Sequence, residues 1–306
     1  MLTVEGLKKT YGSRTVVDGV SMTVAAGRIV GLLGPNGAGK TTTVSMICGL
    51  TPADAGEVAL NGQRIGGDAS PVKCRLGLVP QDLALHEELS ARHNLALFGS
   101  LYGVNGAALK SRSEEVLALV GLADRADDRP ATFSGGMKRR LNIACSLMHD
   151  PDVLILDEPT VGVDPQSRNA IFANLETLRD RGKGLIYTTH YMEEVERLAD
   201  EIVILDHGKV VAEGTLDAVK RRVPQVASLS LLPAAPFDAA FLADLPGVQG
   251  TEWRDGRMVV SLASLDAAGS VLNRIAAAGH TVLDIQSGRA TLEDVFLALT
   301  GRQLRD

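Results

Sequence analysis

At residues 34–42 the chain reads Gly34-Pro35-Asn36-Gly37-Ala38-Gly39-Lys40-Thr41-Thr42. This stretch matches the spacing G-x-x-x-x-G-K-(S/T) of a phosphate-binding loop. It follows a run, residues 28–33, that the pattern predicts as a buried strand, and it leads into a stretch of helical periodicity, which is the context that the motif requires. Its glycines let backbone N–H groups converge on phosphate oxygens, and the positive end of the helix dipole points at the same place.

Two side chains of this loop are candidates for direct contact with a ligand. Lys40 is expected to reach the β- and γ-phosphates of a nucleotide, and Thr41 to offer its hydroxyl to Mg²⁺. The competing interpretation is a glycine-rich turn that binds nothing, and the flanking strand and helix disfavour it. The stretch from Gly34 to Thr42 is therefore predicted to bind the phosphates of a nucleotide.

Two acids stand at the end of another predicted strand. Residues 153–156 are apolar throughout, and Asp157 and Glu158 follow directly. In open α/β sheets the carboxyl ends of the strands form the ligand-binding edge. We expect Asp157 to bind Mg²⁺, and Glu158 to orient an attacking water and accept its proton. Without the phosphate loop, the same pair would more simply be the cap of a helix.

Apolar runs alternate with amphipathic stretches over the first 220 residues. Residues 184–189 and 202–205 complete a group of strands that are apolar on both faces, as central parallel strands are. Asp164-Pro165 predicts the start of a helix that closes near Gly182. Between about residues 82 and 150 the strand signal disappears and the periodicity is helical. The pattern predicts an α/β domain over residues 1–222, with a largely parallel sheet and a helical subdomain at about 82–150.

A second, smaller domain is predicted over residues 223–306. Prolines at positions 224, 233 and 236, amid small residues, indicate the boundary. Two strands, over 257–262 and 281–285, flank a helix over about 265–278, so that the domain is α+β. A last helix is predicted to begin at Thr291, because Asp294 stands at the capping-box spacing.

Composition excludes several classes of protein. With 45% hydrophobic and 22% charged residues the chain can bury a core, and disorder is not expected. A net charge of −6 argues against nucleic acid as a partner. No apolar run reaches the ~18 to 20 residues of a membrane-spanning helix, and the first residues lack the pattern of a secretory signal, so we expect a cytosolic protein. The three cysteines, at positions 48, 74 and 145, are expected to be reduced and structural.

Taken together, these motifs resemble the ATP-binding-cassette (ABC) ATPases. The resemblance covers residues 1–220 and implies a P-loop NTPase fold, an ABC cassette whose mainly parallel sheet is joined by an antiparallel β part. Tyr11 stands where the family has an aromatic residue that stacks on adenine. Gln81 matches the glutamine that touches Mg²⁺ or the attacking water, and His190 matches a histidine that contacts the γ-phosphate. Residues 161–164 match a loop that contacts the second subunit.

The family's signature is matched by Phe133-Ser134-Gly135-Gly136-Met137. In the family, Ser134 and the amides of Gly135 and Gly136 would cap the γ-phosphate held by another subunit, which implies a head-to-tail homodimer with two ATP molecules. Its commonest form is Leu-Ser-Gly-Gly-Gln, so the positions of Phe133 and Met137 depart from it. The basic run at residues 138–140 is interpreted as a solvated helix face rather than a nucleic-acid patch.

The C-terminal stretch, residues 291–301, is similar to the end of daunorubicin-resistance-type (ABC-2 type) exporter ATPases. This likeness implies that the chain powers efflux of a drug, an antibiotic or a similar amphipathic substrate. Transport would require an ABC-2 type permease on a separate chain, with this protein at the cytoplasmic face of the membrane. An import ATPase and a soluble ATP-driven switch remain as alternatives. Chromosome-maintenance and translation-associated ATPases are disfavoured, because the chain has no long coiled coil and only one of each motif.

Overall fold

A computed structural model describes residues 1–66, 70–221, 227–254, 256–288 and 291–301. Contacts between Cα atoms divide the chain into two units. The first unit is Met1–Thr215, and the second begins at Leu216. The predicted boundary between residues 222 and 223 lies outside the described residues and stays a prediction.

The first unit is built on a six-stranded sheet and a four-stranded sheet. Its strands are β1 (Leu2–Tyr11), β2 (Arg14–Val24), β3 (Ile29–Leu33), β4 (Ala55–Leu60), β5 (Gln63–Arg64), β6 (Leu76–Val79), β7 (Val153–Asp157), β8 (Gly184–Thr189), β9 (Glu201–Asp206) and β10 (Lys209–Gly214). Its helices are α1 (Lys40–Ile47), α2 (Ala91–Leu101), α3 (Gly106–Leu119), α4 (Gly135–Ser146), α5 (Pro165–Asp180) and α6 (Met192–Leu198).

The larger sheet places the predicted motifs at one edge. Its strand order is β10-β9-β3-β8-β7-β6, in which β9, β3, β8, β7 and β6 are parallel and β10 is antiparallel to β9. Every residue of β3, β7 and β8 is buried, so the prediction from apolar runs is confirmed. Because these strands are parallel, the loops after β3, β6, β7 and β8 leave the sheet at the same end.

The smaller sheet is antiparallel, in the order β2-β1-β4-β5. It supplies the antiparallel part that the family resemblance implies. Its buried side chains alternate with exposed ones along β2, as expected of a strand with one face on the core. Buried residues of β1 and β2 form one core cluster with Val30 and Leu32 of β3 and with residues of α1.

The helical periodicity predicted between about residues 82 and 150 is confirmed, since the described residues there form α2, α3 and α4 and no strand. That this stretch is a separate subdomain stays a prediction. Leu95, Val116, Leu117 and Leu141 are fully or almost fully buried in one core cluster. Leu101, which fits the apolar periodicity of α2, is instead 72% exposed. The described residues contain no helix long and apolar enough to cross a membrane.

The second unit combines a four-stranded antiparallel sheet with helices. Its elements are α7 (Leu216–Lys220), β11 (Ala227–Pro233), β12 (Val248–Arg254), β13 (Arg257–Leu262), α8 (Ala268–Ala277), β14 (Val282–Gly288) and α9 (Leu292–Thr300). The strand order is β12-β13-β11-β14. The two predicted strands and the predicted helix are confirmed as β13, β14 and α8. The capping box is also present, with Asp294 N–H donating to Thr291 Oγ1 at 3.2 Å and Thr291 N–H donating to the Asp294 carboxylate at 2.9 Å.

Candidate active site

The loop between β3 and α1 needs glycine at two positions for packing reasons. Gly39 has a φ of 104°, in the left-handed region, and a Cβ there would lie 2.7 Å from the Val16 carbonyl oxygen. A Cβ at Gly34 would lie 2.5 Å from the Leu205 carbonyl oxygen. Backbone from β2 and β9 therefore closes around the loop and fixes its path. The result is a narrow backbone cradle at the N-terminus of α1, which is the geometry that binds phosphate.

Lys40 lies inside this cradle and is only 5% exposed. Its Nζ donates to the carbonyl oxygens of Gly34 at 2.8 Å and Pro35 at 3.2 Å. The same atom lies 3.2 Å from Glu158 Oε1, in a buried ion pair. The ammonium group is thus held between the loop and the end of β7, where a phosphate group would meet it.

The other residues of the loop differ in what they present to a ligand. Asn36 and Thr41 are exposed, and Pro35 and Thr42 are half-buried. Ala38 is buried in the core, and its N–H donates to the Pro35 carbonyl oxygen. Ala38 therefore shapes the loop, whereas Thr41 has a free approach to a ligand.

The two acids after β7 are held by a residue that the sequence did not single out. Thr188 of β8 is fully buried, and its hydroxyl donates to Asp157 Oδ1 at 2.6 Å and accepts from the Glu158 N–H at 2.9 Å. Glu158 has a φ of 47°, a left-handed conformation that is uncommon for a side chain of this size. This bend turns the carboxylate of Glu158 out of the strand toward Lys40.

Three of the predicted catalytic side chains meet at Glu158. Gln81 Nε2 lies 3.5 Å from Glu158 Oε2, and His190 Nδ1 lies 3.4 Å from Glu158 Oε1. With Lys40 they surround a carboxylate that is only 6% exposed. The loops after β3, β6, β7 and β8 thus bring together residues that are up to 150 positions apart in the sequence.

Asp157 is suited to a metal ion. Its side chain is 3% exposed and has no ion-pair partner among the described residues, whereas buried carboxylates are normally paired or bound to a metal. The described residues hold no group of three or more His, Cys, Asp or Glu that could bind a metal by itself. Magnesium is commonly held by one or two protein oxygens together with the phosphates of its nucleotide, so Asp157 and Thr41 fit it.

Tyr11 lies at the end of β1 and is 51% exposed. The ammonium group of Lys9 lies 5.5 Å from the centroid of its ring. An exposed ring of this kind offers a flat surface on which a base can stack. Its role in holding adenine stays a prediction.

The signature residues lie at the N-terminus of α4. Ser134 is the N-cap and accepts a hydrogen bond from the Met137 N–H at 3.2 Å, while Gly136 is packed so closely that a Cβ would lie 2.1 Å from Ser167 Oγ. Ser134 and Gly135 are exposed. Among the described residues, no hydrogen bond or ion pair joins these residues to the phosphate loop of the same chain. The signature is therefore free to act on a nucleotide bound elsewhere.

The interpretation of residues 138–140 as a solvated helix face is wrong. Lys138 forms an ion pair with Glu87. Arg139 is only 7% exposed and donates to the carbonyl oxygens of Pro80 at 3.2 Å and Gln81 at 2.7 Å. Arg140 donates to the Val120 carbonyl oxygen at 2.7 Å. The backbone after β6 has carbonyl groups without partners in the sheet, and α4 supplies the donors that satisfy them.

The loop 161–164 follows the acids and leads into α5. Asp164 caps that helix by accepting from the Ser167 N–H at 2.9 Å, and Pro165 is its first residue, as predicted. Helix α5 ends at Asp180, two residues before Gly182. Its contact with a second subunit stays a prediction.

Known proteins resemble this chain along its whole length. A sequence model of the family described as "ABC transporter" matches residues 17–161. The linearmycin resistance ATP-binding protein LnrL of Bacillus subtilis (strain 168) is 43% identical over 311 residues, which cover 100% of both chains. The daunorubicin resistance ATP-binding protein DrrA3 of Streptomyces coeruleorubidus is 39% identical, covering 99% of this chain and 97% of its own length. The Nod factor export ATP-binding protein I of Ralstonia nicotianae is 40% identical, and the match covers 100% of this chain and 95% of that protein.

Solved structures resemble the chain over about seven tenths of its length. A structure described as the ATP-binding subunit of an ABC transporter has a TM-score of 0.65 and 34% identity, and the match covers 72% of this chain and 92% of that one. A dimeric ATP-binding cassette bound to ADP and Pi has a TM-score of 0.63 and 27% identity, and the match covers 71% of this chain and 99% of that one.

Proposed function

The chain belongs to the ABC transporter family, as one of its ATP-binding proteins, and we propose that it powers export of a drug, an antibiotic or a similar amphipathic compound. It is an ATPase with the cassette fold. Similarity over the whole chain, second unit included, to proteins named for linearmycin resistance, daunorubicin resistance and Nod factor export carries this proposal. The relatives are named as ATP-binding proteins, and we assign the pathway for the substrate to a separate membrane partner.

The cluster around Glu158 supports a specific division of roles in ATP hydrolysis. Lys40 neutralises charge on the β- and γ-phosphates, and Thr41, Asp157 and Gln81 would hold Mg²⁺ when it is bound with the nucleotide. Glu158 orients the attacking water and accepts its proton, since its carboxylate lies at the centre of the cluster. We assign to His190 a hydrogen bond donated to the γ-phosphate as charge develops there. Bound Mg²⁺ would supply the positive charge that stabilises the transferred phosphoryl group.

One chain supplies only half of the contacts to each nucleotide. The N-terminus of α4 offers the exposed Ser134 hydroxyl and the N–H groups of Gly135 and Gly136, which form an anion-binding end of a helix. We assign them to the γ-phosphate held by a second copy of the chain in a head-to-tail homodimer. ATP then bridges the two copies at two sites, and hydrolysis removes the bridge. This cycle of association and separation is the motion passed to the membrane partner.

The surface that meets the membrane partner is proposed to be the segment from Asp82 to Asn94, next to Gln81. The apolar residues Leu83 and Leu89 are 40% and 37% exposed there. The partner is proposed to be an ABC-2 type permease, which places this protein at the cytoplasmic face of the membrane. Leu89→Asp should weaken co-purification with the permease and leave basal ATPase activity unchanged, whereas unchanged co-purification would remove this surface from the proposal.

The test of export function is to identify the partner. A tagged Glu158→Gln variant, purified with ATP and Mg²⁺ from detergent-solubilised membranes of the native host, should bring a polytopic membrane protein with it at near-equal stoichiometry, seen by mass spectrometry. Deletion of that partner should then make the cells more sensitive to the exported compound. Co-purification of a solute-binding protein would favour import, and a soluble partner alone would favour an ATP-driven switch.

A further inference from the structure

The first unit contains a buried carboxylate to which no catalytic role is assigned above. Glu194 of α6 is only 2% exposed. Its Oε1 accepts from the Thr160 hydroxyl at 2.8 Å, and its Oε2 accepts from the Tyr187 hydroxyl at 2.9 Å and the Thr189 hydroxyl at 2.7 Å. Arg168 Nε lies 3.4 Å from Oε1 and provides a compensating positive charge.

The partners of Glu194 belong to the segments that carry the active site. Thr160 is two residues after Glu158, and Thr189 immediately precedes His190. The Thr189 hydroxyl also accepts from the Tyr191 N–H at 3.0 Å, so it fixes the backbone on the far side of His190. Arg168 is on α5, in the turn that follows its cap Asp164. One carboxylate therefore joins the loop after β7, the loop after β8 and the start of α5.

Burying the charged carboxylate of Glu194 costs free energy, and the structure must compensate for that cost. Removing a carboxylate from water is costly unless donors replace the water, and a well-packed cluster made entirely of apolar side chains would fill the same space without that cost. Burial and the nearby Glu194 carboxylate raise the pKa of Tyr187 well above its ordinary range, so that the tyrosine hydroxyl keeps its proton and remains a donor. The cluster gains no benefit in packing from being ionic. What it gains is directionality, because each hydrogen bond fixes one loop.

We propose that Glu194 is a positioning residue that holds Glu158 and His190 at their mutual distance of 3.4 Å. This inference deepens the proposed function and rests on it. Glu194 has no hydrogen bond to Glu158 or His190 among the described residues, so it acts through Thr160 and Thr189. Since Arg168 shares the cluster, the same carboxylate also connects the start of α5, which follows the 161–164 loop, to the hydrolytic centre.

The test compares kcat with KM for ATP in the purified chain. Glu194→Gln keeps the shape of the side chain and removes its charge, and displacing reacting groups by about 1 Å can cost on the order of 10²-fold in rate. We expect kcat to fall about 10- to 100-fold while KM for ATP changes less than about threefold, since the phosphate cradle is untouched. Leu185→Ala, in the same strand β8 and also fully buried, is the matched control for loss of packing.

A double variant separates positioning from general destabilisation. If Glu194 acts through His190, then adding Glu194→Gln to His190→Ala should lower kcat by less than about threefold beyond His190→Ala alone, because effects of groups acting as a unit are not additive. Independent effects that multiply would overturn the proposal. So would a kcat for Glu194→Gln equal to that of the wild-type chain, or a loss no larger than that of Leu185→Ala.

A second pair of variants keeps the proposal testable if Glu194→Gln does not fold. Thr189→Val removes the hydroxyl and should reproduce the loss in kcat, and Thr189→Ser should restore most of it. Equal kcat values for the two would overturn the proposal. Lys40→Ala, measured alongside, reports on the proposed function itself: turnover retained in that variant would reject the active site, whereas turnover lost there and unchanged in Glu194→Gln would reject only the positioning role.

Discussion

Thr188 offers the sharpest test of how the fold holds the two acids. Thr188→Val replaces the hydroxyl by a methyl group of similar size, and the side chain is fully buried. The change removes one hydrogen bond to a carboxylate, at 2.6 Å, and one from a backbone N–H, at 2.9 Å. A bond to a charged group contributes about 1.5–3 kcal/mol and a neutral one about 0.5–1.5 kcal/mol, so we expect the free energy of unfolding to fall by about 2–4.5 kcal/mol.

The same change should reduce turnover, because Glu158 then loses the bond that fixes its left-handed backbone. The assays are urea-induced unfolding followed by circular dichroism and steady-state ATP hydrolysis, both at 25 °C. Thr188→Ser is the control, since it keeps the hydroxyl and should retain most of the stability and the activity. Free energies of unfolding that differ by less than about 0.5 kcal/mol between Thr188→Val and Thr188→Ser would refute this role of the hydroxyl, because that difference is below the contribution of one hydrogen bond.

Three further outcomes are expected. Lys40→Ala should abolish ATP hydrolysis in a phosphate-release assay, because the buried cation of the cradle is lost, and retained turnover would contradict the site. Arg139→Met should lower kcat, because the carbonyl groups of Pro80 and Gln81 lose their donor. ATP binding, measured by titration with a fluorescent nucleotide, should remain. An unchanged kcat would show that the hydrogen bonds of Arg139 are dispensable. Burial lowers the pKa of His149, so the folded chain resists the proton that the unfolded chain accepts below about pH 6.5. The free energy of unfolding should therefore fall as the pH drops from about 6.5 toward the folded-state pKa of His149, and His149→Gln should flatten that slope in unfolding curves between pH 7.5 and 5.5.

The sequence was most informative where strands are buried on both faces. The strands β3, β7, β8 and β9 each contain a continuous apolar run, and the predicted bounds lie within one residue of the observed ones. Strand β11 alternates serine with leucine, a visible strand pattern, but the prolines around it indicated a boundary instead. Strand β12 is an edge strand with mostly exposed residues and a glycine at position 250, so it has almost no hydrophobic pattern to detect.

In the active site, the residues that belong to sequence motifs could be predicted and the residues that orient them could not. Lys40, Glu158, Gln81 and His190 could be predicted because each belongs to a motif with a fixed order, and the structure brings them together. The residues that orient them lie on other segments and carry no motif of their own. Thr188 acts on residues about 30 positions away in the sequence, through a contact that only the sheet creates. Such partners depend on tertiary structure, which periodicity and spacing do not encode.

The predicted exposure of Arg139 is wrong although the helix on which it lies was predicted correctly. Three consecutive basic residues on a helix normally face solvent, as charged side chains rarely lie buried without partners. Here the backbone after β6 provides partners, in the form of carbonyl oxygens at Pro80 and Gln81. Arg139 therefore supports the backbone of Gln81 and links the signature helix α4 to the catalytic cluster.

In the proposed cycle, ATP joins two copies of this chain by filling a site to which each copy contributes only part of the contacts. The most direct measurement is the molar mass of the Glu158→Gln variant by light scattering coupled to size exclusion, with ATP and Mg²⁺ and without them. This cycle predicts the mass of two chains with ATP and of one chain without it. It also predicts a return to the mass of one chain when Ser134→Arg blocks the signature at the N-terminus of α4. A single-chain mass with saturating ATP, or a dimer that the Ser134→Arg change leaves intact, would contradict it.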